Sequence, residues 1–355
     1  MVQNCNMTDV HGVDAPAARG DLLATASRLE SDGDLLGAID ALMAANRIER
    51  DPGVEFELTK LRHAAFGTLP RYAEPAAWPP PVPGPQPGLD ESGPMPEIAA
   101  ADLTVDAVRR AVFGHGSLIV RGVLDAATVD ELKEGIDRAL GLEDGVEVVE
   151  KPPAPWYQPL PLPPEERLTL GRRWVKADGG VLLADSPHLQ FTLLEAYRKA
   201  GLFDLVTGYL GERPSLSANK STLRRVSLGK EAGWHQDGAF LGQGIHALNI
   251  WLALSHCGDT APGMDILPRR FEEIVETGTG GSYFDWGVGP AVVEQLAVET
   301  PIVRPIFDPG DLCLFDEMLL HSTAIDDAMT DVRYAVEAWC FGPSAYPDGQ
   351  VPVVW

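Results

Sequence analysis

The sequence has few cysteines and no long apolar run. Its four cysteines, Cys5, Cys257, Cys313 and Cys340, form no Cys-x-x-Cys pair in a chain of 355 residues. They are too few for a disulfide framework, so we expect incidental or buried thiols in a reducing compartment. No stretch approaches the roughly 18 consecutive apolar residues that cross a bilayer. The sequence therefore argues against a membrane-spanning protein.

Basic side chains are also scarce. The chain carries 28 Lys and Arg against 52 Asp and Glu, which gives a formal net charge of −24. Nucleic acids and anionic lipids are bound by clustered Lys and Arg, so this charge argues against either as a partner. Residues 1–19 have neither the basic start nor the apolar stretch of a secretory signal, and we expect a cytoplasmic protein.

The N-terminal part of the chain is predicted to be helical. Residues 1–19 are small and polar, which predicts a disordered lead-in, whereas residues 20–69 have apolar side chains at helical spacing. The phrase at 33–39 resembles the turn and second helix of a tetratricopeptide repeat. Because one repeat cannot bury its own face, we interpret the segment as a small helical cap on the main domain. A docking module for a carrier protein or a peptide is the alternative.

Proline marks the domain boundary. Ten prolines fall between residues 70 and 96, and such a stretch favours extended backbone that cannot donate ladder hydrogen bonds. We therefore predict a linker over 70–97 and one domain over 98–355. A second proline-rich stretch, 152–164, is long for a loop inside a domain and is typical of a lid or binding loop.

The second half of the chain has the texture of a β domain. Short β-type runs separated by Gly, Pro and Asp indicate a sandwich or jelly roll. Because helical patterns precede them, we predict an α+β domain whose core is a double-stranded β-helix, cupin-like, with flanking helices. The predicted strands are 221–228, 246–254, 301–306, 311–315 and 333–341.

A His-x-Asp motif and a distant histidine are the candidate metal ligands. His235 and Asp237 follow a predicted strand, and His321 lies 86 residues further along the chain. Two histidines and one carboxylate bind one face of an Fe(II) ion and leave its other positions open. Residues i and i+2 of a strand project to the same side, so we expect both motif side chains to face one metal.

The C-terminal part of the chain, about residues 98–345, resembles the phytanoyl-CoA dioxygenase family of Fe(II)/2-oxoglutarate oxygenases. The resemblance depends on the order and spacing of several phrases. They are Trp234-His235-Gln236-Asp237-Gly238, Leu248-Asn249-Ile250-Trp251-Leu252-Ala253-Leu254, Ala261-Pro262-Gly263-Met264-Asp265-Ile266-Leu267-Pro268, Gly310-Asp311 with Phe315, His321-Ser322-Thr323, and Arg333. One departure is Leu267-Pro268-Arg269-Arg270, where the family has Pro-Gly-Ser-His. We expect it to alter a surface turn.

The resemblance implies a role for each matching side chain. His235, Asp237 and His321 are expected to ligate Fe(II), with O₂ binding at an open position.

For the co-substrate, the resemblance implies that Arg333 pairs with the distal carboxylate of 2-oxoglutarate, since a planar guanidinium matches the carboxylate fork. Thr323 is expected to hydrogen-bond the same carboxylate. Thr222 and Trp251 lie near positions that often line the co-substrate pocket in this family. The alternative for Arg333 is an internal ion pair with Asp316.

The implied activity is that of a non-haem Fe(II)/2-oxoglutarate-dependent dioxygenase. We expect hydroxylation of an unactivated C–H bond of a small organic metabolite, with release of succinate and CO₂. The presence of Asp237 argues against halogenation, which needs that metal position for chloride. The same chemistry on a carrier- or peptide-tethered substrate or on an acyl-CoA stays open, as do desaturation and ring formation. A catalytically silent scaffold that uses its N-terminal helices for protein interaction is the alternative of another class.

Overall fold

A computed structural model describes residues 15–73, 77–143, 146–147, 151–168, 171–227, 233–242, 244–282 and 284–355. Most of the predicted disordered lead-in, residues 1–14, lies outside these described residues. Residues 15–19 are helical, because the first helix begins at Ala15 rather than at residue 20. Pro16 is compatible with this start, since the first turn of a helix does not need its N–H.

Three helices come first, helices and short strands are then mixed up to residue 210, and strands dominate from residue 215 onward. In the described part of the chain the helices are α1 (Ala15–Ser31), α2 (Leu35–Ile48), α3 (Pro52–Ala64), α4 (Val105–His115), α5 (Ala126–Leu140), α6 (Arg172–Ala177), α7 (Pro187–Lys199), α8 (Leu202–Leu210), α9 (Gly238–Leu241) and α10 (Pro290–Ala297). The strands are β1 (Glu97–Ala99), β2 (Ser117–Arg121), β3 (Leu142–Glu143), β4 (Val146–Glu147), β5 (Gly180–Leu182), β6 (Ser215–Ser217), β7 (Thr222–Val226), β8 (Ala247–Ala253), β9 (Gly263–Arg270), β10 (Leu312–Phe315), β11 (Leu319–Ala324), β12 (Arg333–Phe341) and β13 (Pro352–Val354).

The N-terminal helices α1–α3 pack directly on the rest of the chain. Asp34 and Asp51 cap α2 and α3 by accepting from the backbone N–H groups three residues further along. The apolar faces of the three helices form one cluster, which also contains Phe191 of α7 and Val354 of β13. The helices thus cover α7 and the last strand.

Polar contacts reinforce this interface. Arg47 forms an ion pair with Glu195 of α7 at 2.6 Å, and the buried hydroxyl of Thr59 donates to Gln190 at 2.8 Å. The buried Arg62 guanidinium donates to the carbonyl of the C-terminal strand at 2.8 Å. These contacts support the interpretation of the helices as a cap. The predicted domain boundaries near residues 69 and 97 stay a prediction.

The core of the domain is a nine-stranded sheet that faces a smaller one. Seven strands of the large sheet follow the order β1-β2-β10-β8-β12-β6-β13. The other two strands branch from β12: β7 pairs with β12, and β5 pairs with β7. Strands β9 and β11 pair antiparallel to form the small sheet. The side chains of β8 alternate: Leu248, Ile250 and Leu252 pack against the helices, while Trp251 and Ala253 face the small sheet. The space between the two sheets holds the site described below.

Two predictions about the strands are wrong. Residues 301–306 form no strand, because Pro301 and Pro305 cannot donate, and Val303 makes only an isolated bridge to β9. The segment 267–270 is not a surface turn but the end of β9. There Arg270 forms an ion pair at 2.6 Å with the fully buried Asp316, so the departure from the family pattern lies inside the domain.

Candidate active site

A cavity of about 420 Å³ opens between the large and the small sheet. Its walls come from β7, β8, β10 and β12 on one side and from β9 and β11 on the other, with the α9 segment at its mouth. Every residue that the sequence nominated for the metal or the co-substrate contributes to this lining. Positions up to 111 residues apart in the chain, Thr222 and Arg333, thus share one chamber.

The three candidate metal ligands lie together. One ligand atom from each of His235, Asp237 and His321 falls within 4.8 Å of the others, an arrangement that could hold one metal ion. The two histidines exchange backbone hydrogen bonds of 2.9 and 3.1 Å, which form an isolated antiparallel bridge. This bridge brings their rings to a centroid separation of 4.4 Å.

Both imidazoles are oriented by backbone carbonyls. Nδ1 of His235 lies 2.8 Å from the carbonyl oxygen of Gly233, and Nδ1 of His321 lies 3.1 Å from that of Leu319. These contacts place the protons on Nδ1 and leave Nε2 as the ligand atom of each ring. Nε2 of His321 is 3.7 Å from Oδ2 of Asp237.

The protonation states suit a cation site. Burial, with a further contribution from the neighbouring His321, lowers the pKa of His235 to about 4, so this imidazole is neutral at physiological pH. Burial alone would raise the pKa of Asp237, but the Lys220 ammonium and the two histidines hold it below its ordinary value. Two imidazoles and one carboxylate are a donor set that Fe(II) accepts, so the side chains present fit the metal.

The geometry of the motif differs from the strand that we predicted. Asp237 has helical backbone angles (φ −63°, ψ −26°) and directly precedes α9. The turn between the two ligands is fixed instead by Gln236, whose side chain is fully buried. Its amide donates to the carbonyl of Met318 at 2.9 Å and accepts from the N–H of Val275 at 2.7 Å. The side chains of His235 and Asp237 therefore come together because hydrogen bonds hold the turn between them, not because residues alternate along a strand.

Arg333 lies at the inner end of the cavity. It is 3% exposed, its Nη1 donates to the carbonyl of Gly263 at 2.9 Å, and its guanidinium lies 5.6 Å from the centre of the Trp251 ring. Burial lowers its pKa to about 10, which still leaves it protonated at neutral pH. The alternative pairing with Asp316 is not formed, because that carboxylate is taken by Arg270. Among the described residues Nε of Arg333 has no hydrogen-bond partner.

The other predicted co-substrate residues surround Arg333. Thr323 follows His321 by two residues on β11, and both side chains line the cavity. Thr222 and Trp251 lie on strands that flank β12, each paired in register with Glu337. The hydroxyl of Thr222 is buried and has no partner in the part of the chain that the structure describes. Unpartnered buried donors around one chamber are consistent with a polar ligand such as 2-oxoglutarate.

Several cavity residues have no clear signal in the sequence. Lys220 lies 3.0 Å from Oδ1 of Asp237, and Phe240 and Trp286 form the wall beside the metal ligands. Phe284 stacks on Trp286 at 4.6 Å. The loop that carries Phe284 and Trp286 has no helical or strand periodicity. Its cluster of aromatic residues is therefore the one sequence feature that points to a cavity wall.

The proline-rich stretch 152–164, predicted as a lid or binding loop, lies elsewhere. Its Trp156 packs against His188 at 4.2 Å and beneath the guanidinium of Arg138 at 4.9 Å. These contacts fix the loop to the helical side of the domain, and none of its residues lines the cavity. No helix in the described ranges is long and apolar enough to cross a membrane.

A family model described as phytanoyl-CoA dioxygenase matches residues 114–325. Among solved structures, EctD from S. alaskensis with 2-oxoglutarate and 5-hydroxyectoine is 16% identical, with a TM-score of 0.50 and coverage of 79% of this chain and 88% of that chain. AviO1 from Streptomyces viridochromogenes Tue57 is 18% identical, with a TM-score of 0.44 and coverage of 66% and 94%. A search of curated proteins gives no significant match. The likeness to EctD confirms the predicted double-stranded β-helix.

Proposed function

Because the chain belongs to the phytanoyl-CoA dioxygenase family, we propose that it hydroxylates an unactivated C–H bond of a small organic metabolite. The reaction uses Fe(II) as its metal, consumes 2-oxoglutarate and O₂, and releases succinate and CO₂. The observation that carries the proposal is the convergence of His235, Asp237 and His321 within one cavity that also holds Arg333.

The metal ligands are Nε2 of His235, Nε2 of His321 and Oδ2 of Asp237. When bound, the iron supplies the O₂ chemistry that couples decarboxylation of 2-oxoglutarate to oxidation of the substrate. The protein orients the two imidazoles through the carbonyls of Gly233 and Leu319, which hold Nδ1 of each ring and leave Nε2 for the metal. Because one carboxylate and two histidines occupy one face, the remaining positions stay open to the co-substrate and O₂.

Arg333 and Thr323 bind the distal carboxylate of 2-oxoglutarate. The buried guanidinium has unused donor capacity at Nε, and Thr323 lies on β11 of the facing small sheet, two residues beyond a metal ligand. Trp251 and Thr222 bound the space between this carboxylate and the metal. Bound in this way, 2-oxoglutarate would leave its keto-acid end free to reach the metal held by His235, Asp237 and His321.

The size of the cavity favours a free small metabolite over an acyl-CoA. About 420 Å³ is within the range of roughly 300–1,000 Å³ of small-molecule pockets, and it must hold both the co-substrate and the substrate. An acyl-CoA could place only its acyl end inside. The N-terminal helices pack their apolar faces on α7 and β13, so a carrier protein is not needed to cover them.

The test is a screen for substrate-stimulated succinate release with a library of small metabolites under ¹⁸O₂. Hydroxylation predicts a product that gains one labelled oxygen atom per succinate formed. A product that has instead lost two hydrogen atoms, without gaining oxygen, would replace hydroxylation by desaturation. Asp237→Ala serves as the control, since it removes one metal ligand.

A further inference from the structure

Three aromatic side chains form a wall beside the metal ligands, and we refer to Phe240, Phe284 and Trp286 as the aromatic wall. The rings of Phe240 and Trp286 meet edge to face at 5.3 Å, and Phe284 stacks behind Trp286 with the two rings nearly parallel. The Trp286 ring lies 5.5 Å from that of His235. The wall is thus in direct contact with a metal ligand.

Two rings of the aromatic wall are exposed, as is Trp174 elsewhere in the cavity lining. Phe240 is 38% and Phe284 37% exposed, whereas Trp251, Trp339 and Phe315, deeper in the same space, are at most 2% exposed. Clustered apolar surface of this kind is unfavourable in water, and it marks a binding surface more often than a packing defect. Flat rings gain most from such a surface, because offset stacking and edge-to-face contacts add to the burial of area.

The charges at the metal end of the cavity balance once the cofactors are counted. Fe(II), the 2-oxoglutarate dianion and the Asp237 carboxylate together leave a single negative charge. The Lys220 ammonium lies 3.0 Å from Oδ1 of Asp237 and 4.4 Å from the centre of the Phe240 ring. It therefore supplies the one positive charge that offsets the loaded metal site.

The remaining charges form a second balanced set. Arg224 forms an ion pair with Asp178, and Glu337 shares the cavity with Arg333 and stabilises its charged form. A charged substrate would bring in a charge that no described side chain of the cavity is left to offset. Uncompensated charge is disfavoured next to apolar walls, because burial removes its hydration.

From these two observations we propose that the substrate is an uncharged molecule with a flat, apolar ring system, which packs against Phe240 and Trp286 beside the metal ligands, stacked on one ring and edge-on to the other. The inference rests on the proposed function, because the charge balance includes Fe(II) and 2-oxoglutarate. It excludes charged amino acids and any other substrate whose charge would enter the cavity, and it narrows the substrate from any small metabolite to neutral ring compounds.

The test uses ring probes that differ only in charge or in flatness. Isothermal calorimetry of the anaerobic Fe(II)/2-oxoglutarate protein compares 2-naphthol, 2-naphthoate, 2-naphthylmethylammonium and decahydro-2-naphthol. We expect 2-naphthol to bind at least about tenfold more tightly than the two charged probes, and more tightly than the saturated ring. The proposal is overturned if either charged probe or decahydro-2-naphthol binds as well as 2-naphthol, or if 2-naphthol does not bind up to its solubility limit.

Variants then locate the binding surface. Phe240→Leu and Trp286→Leu should each weaken 2-naphthol binding about three- to tenfold, the range expected from losing an aromatic contact. The matched control is Phe56→Leu on α3, where a lysine, Lys60, likewise lies over the ring at 5.4 Å. Unchanged 2-naphthol affinity in both cavity variants, or an equal loss in Phe56→Leu, would refute the aromatic wall as the binding surface.

Lys220→Met tests the charge balance separately. Removal of this positive charge should shift the preference toward 2-naphthylmethylammonium relative to 2-naphthol, and Lys60→Met should not. An unchanged preference would refute the charge argument. The visible charge-transfer band of the Fe(II)/2-oxoglutarate complex is recorded in every sample. If wild-type protein lacked that band, the proposed function would fail. A normal band together with binding of a charged or saturated probe as tight as that of 2-naphthol would refute this inference alone.

Discussion

Replacement of Arg333 by alanine is the change with the most specific consequence for the co-substrate. The guanidinium is 3% exposed and carries its charge at the inner end of the cavity. Its hydrogen bond of 2.9 Å to the Gly263 carbonyl fixes the side chain, while Nε stays available for a ligand. Alanine removes the one cation that faces the distal carboxylate of 2-oxoglutarate in our assignment, and it leaves the three metal ligands in place.

The expected size of the effect follows from the kind of bond that is lost. A hydrogen bond to a charged partner contributes about 1.5–3 kcal/mol, and about 1.4 kcal/mol corresponds to a tenfold change in affinity. Arg333→Ala should therefore weaken 2-oxoglutarate binding by about 10- to 100-fold, while Fe(II) affinity without co-substrate changes little. Anaerobic titration of the Fe(II) protein with 2-oxoglutarate, followed by the visible charge-transfer band, measures the first affinity, and anaerobic isothermal calorimetry with Fe(II) alone measures the second.

Two further variants separate the charge from the general effect of the substitution. Arg225→Ala removes an arginine from the neighbouring strand β7 that contacts Asp137 and Tyr334 instead of lining the cavity, so 2-oxoglutarate affinity should not change. Arg333→Lys keeps the charge without the planar fork and should recover only part of the affinity. If Arg333→Ala bound 2-oxoglutarate as tightly as the wild type, the assignment of this residue would be refuted.

Three other outcomes are expected. His321→Ala should abolish iron-dependent succinate formation with little change in the far-ultraviolet spectrum, whereas His256→Ala, at an exposed histidine, should be active; succinate formation by His321→Ala would contradict the ligand set. Thr323→Ala should weaken 2-oxoglutarate binding only about 2- to 10-fold, because a neutral hydrogen bond contributes about 0.5–1.5 kcal/mol; a loss as large as that of Arg333→Ala would contradict this ranking. Leu58→Ala, at a 2% exposed position of α3, should lower the free energy of unfolding by about 2–5 kcal/mol, measured by tryptophan fluorescence in denaturant. All eight tryptophans follow residue 69, so an unshifted transition would show that the helices are not an integral cap.

The candidate metal ligands and Arg333 could be nominated from the sequence because their spacing is carried by the chain itself. His235 and Asp237 are two residues apart, and His321 and Arg333 each sit in or at the start of a strand. Alternation along β12 also predicts that Trp339 shares the face of Arg333, and both line the cavity. Periodicity works on β11 and β12 because each side chain's direction depends only on its own strand, whereas His235 and Asp237 are oriented by the turn at Gln236.

The rest of the site depends on contacts between distant segments, which periodicity does not encode. Nothing in the sequence marks Gln236 as more than the residue between two ligands. Its side chain nevertheless fixes the turn by hydrogen bonds to Met318 and to the loop after β9. Lys220 lies near Asp237 only because the segment before β7 passes the start of α9. The apolar run at 301–306 looked like a strand, and its prolines outweighed that pattern.

The most direct test of the central claim is anaerobic addition of Fe(II) and then 2-oxoglutarate to the full-length protein, followed by visible absorption. We predict a weak charge-transfer band that saturates at one equivalent of Fe(II), requires both additions, and is absent in Asp237→Ala. Absence of a band in the wild-type protein, or an undiminished band in Asp237→Ala, would contradict an Fe(II)/2-oxoglutarate site built from His235, Asp237 and His321.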